Sequence, residues 1–282
     1  VVIDDYFRRG ATTMRRILAI SAAAITVLSL TLPAPSADGD KKLVVTWYGQ
    51  SFFQLQTPKG TKLVFDPHLK EEFSITRNMV DADIVLMSHF HEDHTQIGAL
   101  KERPNKDEKI KIITGLVNRG GKRDEWNVVD EKFKDLKIRS VGVYHDRSEG
   151  MQRGKVGAFV VEVEGLKIAF LGDLGHELTD DQIKQFGVVD VLFIPVGGVF
   201  TLNGDDAKKV VEQLKPRRYI IPMHFGVPKV CEELCTEEEF MDEVPSAKVM
   251  RFVKHRFEIP LDKKRENEPI YAVPTWEIKP KK

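Results

Sequence analysis

The stretch Ser88-His89-Phe90-His91-Glu92-Asp93-His94 constrains this chain more than any other. It gathers three of the eight histidines and two carboxylates into seven residues, directly after the apolar run Ile84 to Met87, which reads as a short buried strand. Neutral imidazoles and a carboxylate are ligands that suit zinc, manganese or iron, and a tight turn can aim side chains two or three residues apart at neighbouring points. On this reading His89 and His91 share one ion, and Asp93 and His94 reach a second. The alternative is a solvated histidine-rich turn. It fits poorly, because such tracts are compositional and do not follow a buried strand.

Three further segments have the same form. Tyr144-His145, Leu171-Gly172-Asp173 and Ile221-Pro222-Met223-His224-Phe225-Gly226 each close an apolar segment that reads as a strand. His-x-His-x-Asp-His after a strand, followed in order by His145, Asp173 and His224, resembles the metallo-β-lactamase superfamily over roughly Leu43 to Val253. Within it, Phe65-Asp66-Pro67, Ile194 to Gly198 and Pro222 to Gly226 look most like the branch of the ascorbate-6-phosphate lactonase and of metal-dependent hydrolases.

The resemblance implies an α/β (α+β) fold, a four-layer αββα sandwich of two mixed sheets flanked by helices. It implies two divalent metal ions, Zn2+ first and Mn2+ or Fe2+ as alternatives. His89, His91 and His145 would bind the first ion, Asp93, His94 and His224 the second, and Asp173 would bridge them. Asp93 is also taken as the catalytic carboxylate. Asp66, at the end of a strand, would support the histidine loop from behind, which orients imidazoles and fixes their tautomers; the alternative is a simple turn cap.

Two cations about 3.5 to 4 Å apart repel, and a shared carboxylate plus a bridging hydroxide offsets this. Glycine before Asp173 permits close backbone approach. A metal lowers the pKa of bound water to about 7, so a metal-bound hydroxide can attack at neutral pH without a serine or cysteine nucleophile. The expected activity is hydrolysis of a small ester, lactone or phosphoester, with phosphodiester or β-lactam cleavage on the same site as alternatives. A non-catalytic exported metal-binding module is a third reading, and a ligand set sufficient for a bridged pair of ions argues against it. Diiron redox chemistry is disfavoured because His91 stands where that branch typically has glutamate. Gln50, His68 and His176 are candidate substrate contacts, with a place in a surface loop as the alternative for His68 and His176.

Composition narrows the partners. The 282 residues carry 43 basic and 43 acidic side chains, so a general polyanion-binding surface is not indicated, and a small-molecule substrate is expected rather than nucleic acid. Oligomeric state is left open. The first forty residues differ in kind: Met14-Arg15-Arg16, the apolar run Ile17 to Leu32 and Pro33-Ala34-Pro35-Ser36-Ala37 read as a secretory signal. Residues 1–37 are therefore assigned to an upstream extension and signal peptide, and 38–282 to a single hydrolase domain. The expected location is periplasmic or secreted, without stable membrane association after cleavage; an uncleaved anchor is the alternative. Cys231 and Cys235 would meet an oxidising compartment, and whether they pair is left open.

The remaining pattern predicts strands over 43–47, 52–57, 62–65, 109–114, 126–129, 138–144, 189–194, 219–221 and 248–253, with a hairpin turning at Gly165 between 157–164 and 166–171. Helices are expected over 95–101, 180–186 and 205–214, a capping box from Thr236 to Glu239, a polar loop at Gly120-Gly121, and a basic tail after 248–253 as the final strand.

Overall fold

Alternation shapes the first strands. In β1, Lys42–Trp47, the side chains of Leu43, Val45 and Trp47 are buried while the positions between them are more open. β2, Phe53–Gln56, repeats the pattern, and β3, Lys62–Phe65, follows after the turn at Lys59-Gly60. β4, Ile84–Met87, is buried at all four positions, as a strand covered on both faces must be. β5 is Lys111–Thr114, and the short pair β6, Leu116–Val117, and β7, Glu125–Trp126, stands apart. Then come β8, Asp130–Phe133; β9, Leu136–Tyr144; β10, Lys155–Val163; and β11, Leu166–Phe170. The helix α1, Asp180–Phe186, leads to β12, Val191–Pro195, and α2, Gly204–Leu214, leads to β13, Tyr219–Met223. The short α3, Glu238–Met241, precedes β14, Val249–Arg251; β15, Arg256–Pro260; and β16, Ile270–Val273.

These elements belong to a computed structural model that describes residues 41–103, 105, 108–118, 124–262 and 267–277. The amino-terminal extension and signal-like run, Gly120-Gly121 and the basic tail lie outside the described residues. Among the described residues no helix is long and apolar enough to cross a membrane.

The strands form two mixed sheets, ordered β15-β1-β2-β3-β4-β5 and β14-β16-β13-β12-β11-β10-β9-β8. Their inner faces meet through aromatic rings: Phe65 of β3 stacks on Phe170 of β11 at 4.2 Å, and Phe53 of β2 meets Phe193 of β12 edge-on at 4.9 Å. Each such buried phenylalanine contributes about 2–3 kcal/mol of apolar burial, so this seam holds the sandwich together. On the larger sheet, α1 is tied to β9, with Gln182 Nε2 donating to the Gly142 carbonyl and Arg139 donating to that of Phe186. The segments crossing from β3 to β4 and from β4 to β5 carry the buried residues Phe73, Ile75, Val80, Ala99 and Leu100, and among the described residues their helical elements are three short 3-10 turns.

Direction places the site. β3, β4 and β5 run parallel, as do β11, β12 and β13, and β9 shares the direction of β11 because both pair antiparallel with β10. The carboxyl ends of β3 and β4 thus face one way in the first sheet, and those of β9, β11 and β13 one way in the second. Ligand sites of open α/β sheets lie at such ends.

Four expectations need correction. The strand expected over 248–253 is not the final one: it is β14, and β15 and β16 follow, β15 pairing with β1 and β16 with β13 and β14. The helix expected over 95–101 is only the 3-10 turn Ile97–Ala99, because Gln96 N donates to the Pro67 carbonyl at 2.7 Å and ties the segment to the loop after β3. Of the strand expected at 126–129 only Trp126 is in a strand, the end of β7; residues 127–129 lead to β8, with Asn127 N donating to the Gly115 carbonyl and Val129 N to Ser140 Oγ. The capping box at Thr236 does not form: α3 has no side-chain cap, and Glu239 Oε2 accepts the Gly204 N–H at the start of α2, at 2.7 Å. The capping box lies instead at Thr179 and Gln182, before α1. The hairpin at Gly165 is as expected, with Glu164 and Gly165 both at positive φ.

Candidate metal centre

Five strand ends deliver the site. Asp66 follows β3, His89 follows β4, His145 follows β9, Asp173 lies beyond β11, and His224 follows β13. His91, Asp93 and His94 hang from the loop after β4, whose 3-10 turn Glu92–His94 doubles the chain back so that side chains close in sequence point together.

Asp173 Oδ2 is the meeting point. It lies 3.2 Å from His94 Nε2, 3.3 Å from His145 Nε2, 3.3 Å from His224 Nε2 and 3.9 Å from His89 Nε2. His89 Nε2 is also 3.0 Å from His91 Nδ1, and His94 Nε2 is 3.6 Å from Asp93 Oδ1. Two donor sets with all ligand atoms within 4.8 Å of one another follow: His89, His91 and His145, and Asp93, His94 and His224. Asp66 with His89 and His94 meets the same distance criterion, but the Asp66 oxygens are already engaged. Oδ1 accepts the Ser88 N–H at 2.7 Å, and Oδ2 accepts Ser88 Oγ at 2.7 Å and His94 Nδ1 at 2.9 Å. Ser88 Oγ, having donated to Asp66, accepts from His89 Nδ1 at 2.9 Å. This chain of bonds leaves the Nε2 lone pair of His89 facing the centre.

The backbone is shaped for this approach. Gly172 has φ +55°, and a Cβ there would lie 2.8 Å from Ser88 Cβ, so only glycine lets Asp173 come up against the histidine loop. His224 has φ +50° and its N–H reaches the Gln50 carbonyl at 3.3 Å.

Electrostatics follow from burial of like groups. Desolvation, then the neighbouring His94, pushes the His89 imidazole well below its ordinary range. Burial likewise lowers His224, and burial with His145 lowers His91. His94 goes the other way: burial opposes its charge, but Asp173 and Asp66 on either side hold it well above the imidazole range. Burial would raise Asp173, yet His224 and His94 hold it well below the carboxylate range. Without a metal, a proton on His94 balances the Asp173 carboxylate.

The donor set fits divalent ions. Imidazole and carboxylate groups converge, and among the described residues the buried His94 Nε2 makes no well-aligned hydrogen bond although Asp173 Oδ2 lies 3.2 Å away, so a cation can take the place of its proton. His91 is exposed and Asp93 half-buried, so the centre opens to solvent on their side.

The three residues expected to touch substrate are placed differently. His68 is fully buried, with Nε2 donating to the Gly49 carbonyl at 3.2 Å and Nδ1 accepting from Lys70 N at 3.1 Å. Burial lowers its pKa to about 4, which suits a neutral ring with both nitrogens in use. It holds a loop and offers no free donor. His176 also uses both nitrogens, accepting from Tyr144 N at 3.0 Å and meeting the Glu177 carbonyl at 2.6 Å, and so braces the strand end that presents His145. Gln50 is buried; Nε2 reaches Cys231 Sγ at 3.3 Å, and its Oε1 has no hydrogen-bond partner among the described residues. Cys231 and Cys235 are free thiols, the first buried and the second exposed. Sequence reasoning passed over Ser88, whose place between Asp66 and His89 shows only in three dimensions, and Lys70, whose Nζ lies 3.8 Å from Asp93 Oδ2.

Comparison with known proteins bears on this geometry. A family profile for the beta-lactamase superfamily domain matches residues 44–224, a span that contains all seven candidate ligands. A UPF0173 metal-dependent hydrolase of Pyrococcus furiosus is 29% identical over 195 residues, covering 64% of this chain and 84% of that protein. Another, from Anaeromyxobacter, is 30% identical over 213 residues, with 66% and 75% covered. A solved structure from Thermotoga maritima, described as a zinc-dependent hydrolase of the metallo-β-lactamase superfamily, matches with a TM-score of 0.59 at 27% identity, over 82% of this chain and 98% of that one. The sandwich, the strand-end ligands and the relatives agree, and the chain belongs to the metallo-β-lactamase superfamily as one of its metal-dependent hydrolases.

Proposed function

We propose that this protein hydrolyses a small ester, lactone or phosphoester at a centre for two divalent ions, zinc by preference. His89, His91 and His145 would hold one ion, Asp93, His94 and His224 the other, and Asp173 both. The observation that carries the reading is Asp173 Oδ2, within 3.2–3.9 Å of four imidazole nitrogens that belong to both donor sets. When bound, such ions bring the pKa of a water down to about 7 and polarise the carbonyl or phosphoryl oxygen under attack.

The chain's own groups do the rest. Asp66 and Ser88 fix the tautomers of His94 and His89. Asp93, half-buried at the open side, has Oδ1 turned to His94 and Oδ2 to Lys70, and is placed to take a proton during attack and return it to the leaving group. Burial of Asp173 and His94 keeps bulk water from screening these charges. A formally neutral chain offers no general source of long-range attraction to a polyanion, which favours a small substrate over nucleic acid.

The test is reconstitution with zinc, manganese or iron, elemental analysis, and turnover of ester, lactone, phosphodiester and β-lactam substrates beside RNA and single-stranded DNA. Two ions per chain and turnover of a small substrate are expected. A ceiling of one ion overturns the paired centre, and cleavage of RNA or DNA faster than every small substrate overturns the substrate class. The basic start and apolar run from Met14 to Leu32 support a further proposal, export with cleavage near Ala34 to Ala37. Mass spectrometry of native protein finding that run intact in membranes overturns it.

A further inference from the structure

Beside Asp93 the surface opens into a cavity of about 580 Å³ whose walls include His68, Lys70, Arg77, Asp93 and Gln96. That is the size of a small-molecule subsite. Three segments build it; two backbone bonds tie them to one another, and a side-chain bond holds the turn of the third. Gln96 N donates to the Pro67 carbonyl at 2.7 Å, Asn78 N donates to that of Gly98 at 3.0 Å, and Gln96 Nε2 reaches the Glu92 carbonyl at 3.1 Å.

The two cations in its walls are placed in different ways. Lys70 is held at both ends: its N–H donates to Nδ1 of the buried His68, and its Nζ lies 2.7 Å from Glu233 Oε1 and 3.8 Å from Asp93 Oδ2. Arg77 has no hydrogen bond or ion pair among the described residues. Its guanidinium rests against Gly98, where a Cβ would come within 2.8 Å of Nη1, so the glycine leaves the space that the arginine occupies. Glu92 also lines the cavity, and Asp93 belongs to the metal donor set, so Arg77 is the cation there without an anionic partner.

We propose that this cavity is the subsite for an oxyanion on the substrate, a phosphate or carboxylate group set apart from the scissile bond. Arg77 grips it with its planar fork, and Lys70 adds a point charge between it and Asp93. The inference rests on the proposed hydrolytic centre, because Asp93 joins the two. It narrows the substrate to molecules with an anionic group a short distance from the bond that is cleaved.

The test separates the subsite from the centre. Inorganic phosphate and acetate are titrated calorimetrically into chelator-treated protein, so that bound metal cannot supply the affinity, with wild type, Arg77→Ala and Arg77→Lys. One of the anions is expected to bind the wild type, to weaken about tenfold or more in Arg77→Ala and to recover in part in Arg77→Lys; which anion binds more tightly identifies the oxyanion. In parallel, metal-loaded protein is assayed on p-nitrophenyl succinate and p-nitrophenyl butyrate, an anionic and a neutral ester with one leaving group. The ratio of their kcat/KM values is expected to fall about tenfold in Arg77→Ala, with Lys70→Met moving it the same way. Absence of anion binding in the chelated wild type, or equal affinity in Arg77→Ala, overturns the subsite. Anion binding that depends on Arg77, in a protein that turns over no substrate, supports the subsite and overturns the hydrolytic reading alone.

Discussion

Asp66 Oδ2 lies 2.9 Å from His94 Nδ1, and neither residue is more than 1% exposed. One carboxylate at the end of β3 therefore sets the ring orientation of a histidine twenty-eight positions later, and through Ser88 that of His89 as well. Removing such a carboxylate leaves the metal donors in place with their aim lost. Asp66→Asn is expected to weaken metal binding about 10- to 100-fold, measured by competition with a chromophoric chelator. Unchanged affinity would show that the loop holds its shape without Asp66.

Asp173→Asn should remove most turnover with the fold intact. The variant keeps the size of the side chain and loses the charge that faces four imidazoles. A drop of more than about 100-fold is expected, beyond the usual cost of losing a group that only orients a ligand. Near-normal turnover at full metal occupancy would show the bridging assignment to be wrong.

His68 gives the metal-free chain an acid-sensitive contribution. Its folded pKa of about 4 lies below the ordinary imidazole value of 6.5, so the unfolded chain binds the proton first as pH falls. The stability is present above pH 6.5 and is lost as pH falls towards 4, by about 3 kcal/mol for a fully buried ring. Urea denaturation in chelator at pH 7 and pH 4 should show wild type losing more stability than His68→Gln by about that amount. Equal losses in the two proteins would count against a neutral, buried His68.

Gly172→Ala tests the close approach of the Asp173 turn to the histidine loop. With φ +55° and Ser88 Cβ 2.8 Å from the new methyl, the variant should be destabilised by about 1–3 kcal/mol and should bind metal more weakly. Thermal melts with and without metal read both effects. A melt identical to wild type would mean the turn can shift without cost.

The candidate metal donors could be nominated from the chain because their chemistry is local. A strand ending in His89, His91, Asp93 and His94 is written in consecutive residues, and His145, Asp173 and His224 each sit at the end of their own apolar run, so side-chain type and strand period were enough to nominate them. The two sheets were legible for the same reason, since alternation in β1 and full burial in β4 record how many faces each strand covers. What the sequence could not show was where bonds go when two distant segments meet. His68 and His176 read as surface or substrate-facing histidines, yet each spends both ring nitrogens on neighbouring backbone, because their loops pack against Gly49 and Tyr144. Glu239 read as part of a cap on its own helix and instead caps α2, thirty-five residues back. Arg77 is one of many charged loop residues until the turn at Gly98 sets it beside Lys70 and Asp93 in one cavity. Residue type and period fix what a segment can offer; which partner takes the offer is decided by the tertiary fold, since a hydrogen bond or ion pair depends on angstrom-scale distance between atoms far apart in the chain.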